Sequence, residues 1–172
     1  MATMKKSNMT RTICALVGIL VIVASLLVPV TLAAAETMKW RHVFFMDKYE
    51  EIQPGDVEGH VIGMWQDHGL AMHENGEFAS LRGQGIYDSL TIEGFRGYDS
   101  LTFEDGSTVW FKIKITDTPA EQEGVLLLAG TIEFTKGTGR FEGIKGSGSV
   151  TGKSFLAWGV AYSDVTASYT LP

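Results

Sequence analysis

A glycine-punctuated run from Gly130 to Gly152 constrains the fold of this chain more than any other feature. It reads Gly-Thr-Ile-Glu-Phe-Thr-Lys-Gly-Thr-Gly-Arg-Phe-Glu-Gly-Ile-Lys-Gly-Ser-Gly-Ser-Val-Thr-Gly. Thr131, Ile132, Phe134 and Thr135 favour a pleated, extended backbone. Gly137, Gly139 and Gly143 are the expected turn glycines, with Gly137 and Gly139 supplying positive φ at the corner. Gly146, Gly148 and Gly152 recur as the chain returns. Glycine weakens a strand interior, so its repetition points to sharp coiling or close backbone approach, as at barrel corners.

The same β-signature runs through the rest of the chain. Val109, Phe111, Ile113 and Ile115 alternate with Trp110, Lys112 and Lys114, the pattern of a half-buried strand. Met38, Trp40, His42, Phe44 and Met46 alternate in the first segment. Further short strands are expected over 57–66, 70–73, 77–87, 90–95, 101–104 and 124–135, with a longer one over 155–169. Asn75-Gly76 and Asp105-Gly106 are hairpin turns in sequence form. No segment after residue 36 has the periodicity and caps of an amphipathic helix. Many short strands with spaced turns make an all-β antiparallel barrel or sandwich.

The N-terminus reads as a separate targeting segment, 1–35, ahead of a single β-domain, 36–172. Lys5, Lys6 and Arg11 precede an apolar stretch from Ile13 to Leu32, and Ala33-Ala34-Ala35 then fits a cleavage site. A signal helix is therefore expected, with export to the periplasm or the exterior. The alternative is a retained anchor, since about 20 apolar residues can span a bilayer. Cys14 is the only cysteine, so an exported domain of 137 residues (172 less 35) is stabilised by a core and not by disulfides. All 18 aromatic residues lie in that domain. It carries 11 Lys and Arg (14 less three) against 20 Asp and Glu, a net charge of −9, which excludes nucleic acid as a natural partner.

Thr135-Lys-Gly-Thr-Gly-Arg-Phe-Glu-Gly-Ile-Lys-Gly-Ser-Gly148 resembles the signature hairpin of the allene oxide cyclase-like and dirigent-like barrels. Gly69-Leu-Ala-Met-His-Glu-Asn-Gly-Glu77, Gly83-Gln-Gly85 and Asp105-Gly-Ser-Thr-Val109 look like the successive hairpins of small bacterial members. The resemblance implies an eight-stranded antiparallel, calycin-like barrel with a central cavity. Plant members close a ring on a fatty-acid epoxide or steer radical coupling of phenols. No local motif outside the hairpin allows their catalytic residues to be placed here, and a fold does not fix a reaction.

Candidate site residues come from two sets. Glu58 and His60 on one expected strand, with Arg82 and Gln84 on another, would bind a ligand if their faces point into the barrel. The alternative places them on the solvent face, with Val57, Val61 and Trp65 inside. His68 and His73 are candidate metal ligands beside Asp67 and Glu74, although their spacing matches no metal motif. Tyr87-Asp-Ser-Leu-Thr-Ile-Glu93 recurs as Tyr98-Asp-Ser-Leu-Thr-Phe-Glu104, read as a local duplication or as a paired surface. No nucleophile elbow, P-loop or dinucleotide fingerprint is present, so no cofactor is expected. Three roles remain open: a carrier of a small apolar or aromatic ligand, an isomerase or cyclase, and a homo-oligomeric structural protein of the envelope. An apolar outer face at Val125 to Leu128 would favour the last.

Overall fold

The computed structural model describes residues 34–91 and 94–172. The expected signal helix and all but the last two residues of the leader lie outside the described residues. Eight strands close into one antiparallel barrel in simple sequence order: β1 (Glu36–Ile52), β2 (Ile62–His73), β3 (Phe78–Asp88), β4 (Phe95–Phe103), β5 (Thr108–Pro119), β6 (Val125–Gly137), β7 (Lys145–Phe155) and β8 (Val160–Thr170). β8 pairs back onto β1, so no strand edge is left open. This is the architecture that the hairpin resemblance implies.

Side chains alternate inward and outward along every strand. One end of the barrel is packed solid. Trp40, Leu81, Leu101, Val109, Phe111 and Ile132 meet there, and each is at most 3% exposed. Phe141 and Ile144, from the corner between β6 and β7, plug that end. At the opposite end the inward side chains stand back from the axis and a cavity opens.

The hairpins form where the turn residues require them. Gly76 (φ 84°) and Gly106 (φ 81°) take the left-handed conformation that Asn-Gly and Asp-Gly turns need. In the glycine run, Gly139 (φ 61°) and Gly143 (φ 76°) turn the chain as expected. Gly137 does not adopt positive φ. It closes β6, where a Cβ would strike the Phe141 carbonyl, so its role is close approach of two backbones.

Four expected strands are redrawn as two. Residues 57–61 are not extended: Gly59 turns at φ 78°, and β2 begins only at Ile62 and runs unbroken to His73. Residues 95–103 form one strand where 90–95 and 101–104 had been separated. In the apolar run of β6, Leu126 and Leu128 line the cavity and Val125 is buried, so only Leu127 is exposed and no outer apolar face forms there. The duplicated segment also divides. Tyr87 and Asp88 end β3, while Tyr98 and Asp99 lie within β4, so the copies do not make a matched surface.

Gly139→Val should cost about 1–3 kcal/mol through backbone strain alone. A side chain there also collides with Ser107, whose hydroxyl accepts the Arg140 N–H at 3.1 Å. Gly76→Val meets open space and carries only the strain. Urea titration should therefore rank Gly139→Val as the more destabilised; the reverse order would contradict the corner geometry.

Candidate functional site

The cavity has a volume of about 440 Å³. That lies within the range of small-molecule sites. Its wall is mostly apolar and aromatic, from Phe44, Phe95, Phe111, Ile113, Leu126 and Leu128 among others. Four polar side chains break that wall below the rim: Asp67, Asp99, His42 and Ser163. Tyr49, Tyr87 and Asp117 also line it.

Strand register brings the two aspartates together. Asp67 on β2 pairs with Gly83 on β3, and Gly83 pairs with Asp99 on β4. All three positions face inward. Because Gly83 has no side chain, the carboxyls flanking it lean into the space above it. A Cβ at Gly83 would strike Oδ1 of both aspartates. Gly85 and Gly97 continue this bare strip, and the Trp65 indole lies across all three glycines. A side chain at any of them would collide with that ring, which is why glycine recurs here.

The electrostatics follow from burial. Asp67 is 7% exposed and Asp99 is 6% exposed, and Oδ1 of each has no hydrogen-bond partner. Loss of solvation disfavours the charged form. It pushes Asp67 up to about 7, helped by the negative charge of Asp47 and opposed by His68. Burial raises Asp99 well above the carboxylate range, and the neighbouring Asp67 raises it further. Two carboxyls flanking one glycine in an apolar site resist ionising together, so the pair holds a proton more tightly than a free carboxyl does.

His42 sits opposite in character. Trp40 Nε1–H donates to His42 Nδ1 at 3.0 Å. Nδ1 must therefore be the bare nitrogen, and the ring proton lies on Nε2. Burial lowers this imidazole to about 4, so it is neutral at physiological pH. Ser163, its register partner on β8, stands beside it. The cavity thus offers a neutral imidazole, a hydroxyl and two neighbouring carboxyls raised by burial.

The sequence-predicted residues fall elsewhere. Arg82 and Gln84 are exposed on the outer face of β3. Glu58 is exposed in the 53–61 loop. His60 is buried in that loop, with Nδ1 2.6 Å from Asp56 and Nε2 3.4 Å from Asp88. The Asp56 hydrogen bond holds His60 above its ordinary pKa, and the ion pairs tie the loop to the end of β3. None of these four lines the cavity. Of the two alternatives, the solvent face holds for Arg82 and Gln84, with Trp65 inside, because β3 turns its glycines inward; Glu58 and His60 belong to neither strand face because residues 57–61 are a loop.

His68 and His73 point to opposite sides of β2 and cannot share one metal ion. His68 faces out, 2.5 Å from Asp47 in the β1 bulge. His73 faces in, stacked on Trp40 at 5.6 Å and packed on Phe103 at 5.0 Å. Among the described residues, no cluster of three or more His, Cys, Asp or Glu side chains is arranged to hold a metal. What the sequence reading missed was the aspartate pair. Its signal was parity: Asp67 shares the face of Trp65 and Ala71, and Asp99 that of Leu101 and Phe103.

No protein-family model matches the chain, and no curated protein matches it. Among solved structures, the chain is similar to the pterocarpan synthase dirigent protein GePTS1, at 15% identity and a TM-score of 0.42. The match covers 83% of this chain and 95% of that one.

The buried acids predict a pH-dependent stability. A carboxyl whose pKa rises on folding favours the native state while it is protonated. As pH climbs from about 4 to about 7, the unfolded chain gives up this proton first, so stability falls across that window. Asp67→Asn removes the titration in an isosteric side chain. It should stabilise the protein at pH 8 by on the order of 2–4 kcal/mol and change little at pH 4. Denaturant unfolding at both pH values checks this, and equal effects at the two would contradict it.

Proposed function

We propose that this barrel binds a small, largely apolar or aromatic ligand in its cavity. The observation that carries the reading is the hollow itself. A 137-residue barrel (172 less 35) could pack its whole axis, as one end does, yet the other end keeps about 440 Å³ open behind an aromatic wall. The lip supports an entry route: Met46, Tyr49 and Leu156 line the cavity and are also solvent-exposed, at 41%, 40% and 59%. The expected leader fits an exported carrier.

A second reading is favoured by one observation. Asp67 and Asp99 are neighbouring buried carboxyls, both raised by burial above the ordinary carboxylate range, in a mostly apolar cavity, an arrangement an isomerase or cyclase can use to give and take a proton. The two readings share the cavity and differ in turnover. Loss of activity on a converted substrate in both Asp67→Asn and Asp99→Asn, with binding retained, would select the enzyme.

A neutral fluorescent naphthylamine such as N-phenyl-1-naphthylamine should bind the folded domain saturably, with one site per chain. Ile113→Trp fills the hollow from β5 and should weaken binding about tenfold or more. Non-saturable binding, or binding that is indifferent to Ile113→Trp, would place the probe elsewhere and remove the carrier reading.

A further inference from the structure

The charge inside the cavity restricts what can occupy it. Among the described residues, no Lys or Arg lines the cavity wall. Its one imidazole, His42, is held neutral by burial and by the Trp40 hydrogen bond. Every other ionisable group facing the hollow is an acid: Asp67 and Asp99 in the wall, Asp117 toward the rim, and the phenols Tyr49 and Tyr87. Outside the wall, Asp47 adds a further negative field behind Asp67, opposed by His68. The chain as a whole is also acidic.

Buried acids of this kind are normally paired, because an unpaired carboxylate in an apolar site is strongly disfavoured. Here Oδ1 of Asp67 and Oδ1 of Asp99 are both unpartnered. Trp65 Nε1, on a side chain 3% exposed, is unpartnered too. The Trp65 ring is pressed against the glycine strip on one side and lines the cavity. Aromatic faces beside a carboxylate are the two chemistries that hold an organic cation.

We propose that the cavity selects a ligand with an aromatic or alicyclic body and a protonated amine, the ammonium seated between Asp67 and Asp99. This rests on the cavity-binding reading above and specifies its ligand class. The ammonium N–H groups donate to the two free Oδ1 atoms. Its charge favours the ionised carboxyls, so a proton held by the pair leaves to solvent as the ligand enters. The apolar body lies against Trp65, Phe95 and Phe111. A carboxylate or phosphate ligand would find no Lys or Arg in the wall and would meet the negative charge of the acids, so free fatty acids are disfavoured relative to amines.

Three naphthalene probes of one shape separate the possibilities by calorimetry at pH 7.5: 2-naphthylmethylamine, 2-methylnaphthalene and 2-naphthoate. The amine should bind about tenfold tighter than the hydrocarbon, and the naphthoate weaker than either. Amine binding should release protons, seen as a heat that depends on the buffer. Asp67→Asn and Asp99→Asn should each reduce the amine preference while hydrocarbon binding persists, which also reports that the variants fold. Equal binding of amine and hydrocarbon by the native protein, or a preference that both variants retain, overturns the cation assignment and leaves the carrier reading standing. If the hydrocarbon does not bind at all, the carrier reading falls and the cation assignment falls with it.

Discussion

The site depends on one missing side chain. Gly83 stands between Asp67 and Asp99 on the inner wall, and only because it ends at Cα can both carboxyls turn into the space above it. The same bare strip, continued by Gly85 and Gly97, gives the Trp65 indole a flat bed. Any Cβ on that strip would push the ring into the cavity or the acids apart. Glycine in strands is usually read as a weakness in the sheet. Here it shapes the wall, and the cavity's chemistry follows from it.

The barrel sustains this at a cost. Two unpartnered acids under 10% exposed, beside an unfilled hollow, work against folding. The packed end offsets them. Trp40, Phe111, Leu81 and Leu101 interlock there, and Phe141 and Ile144 close it. Closure of β8 onto β1 ties both ends into one hydrogen-bonded sheet. The packed core and the cavity thus occupy opposite ends of the same strands, and the inward residue at each position decides which it lines.

The fold was largely legible in the sequence, and the site largely was not, for separable reasons. Alternation at 38–46 and 109–115, with Asn75-Gly76 and Asp105-Gly106, specified strands and hairpins locally. Those signals need no knowledge of partners. The site needs register. Asp67 could be related to Gly83 through the Asn75-Gly76 hairpin, because a tight turn fixes the pairing that follows. Asp99 could not, because a longer connection separates β3 from β4 and leaves that register open. The placement of Glu58 and His60 failed differently: their segment alternates like a strand, and only Gly59 at positive φ shows that it is a loop. Of the two readings of the duplicated Tyr-Asp-Ser, the paired surface does not hold, since tertiary context put one copy at a strand end and the other mid-strand.

The central claim is that the Asp67 and Asp99 pair retains a proton at neutral pH inside the barrel. Carbon-13 NMR of aspartate carboxyls, assigned with Asp67→Asn and Asp99→Asn, measures it directly. The account predicts that at pH 7 one carboxyl of the pair still gives a protonated resonance, which vanishes when Asp99 is replaced, while Asp56, Asp105 and Asp164, held below the ordinary carboxylate value, are ionised. Two fully ionised carboxylates at pH 7 would contradict it.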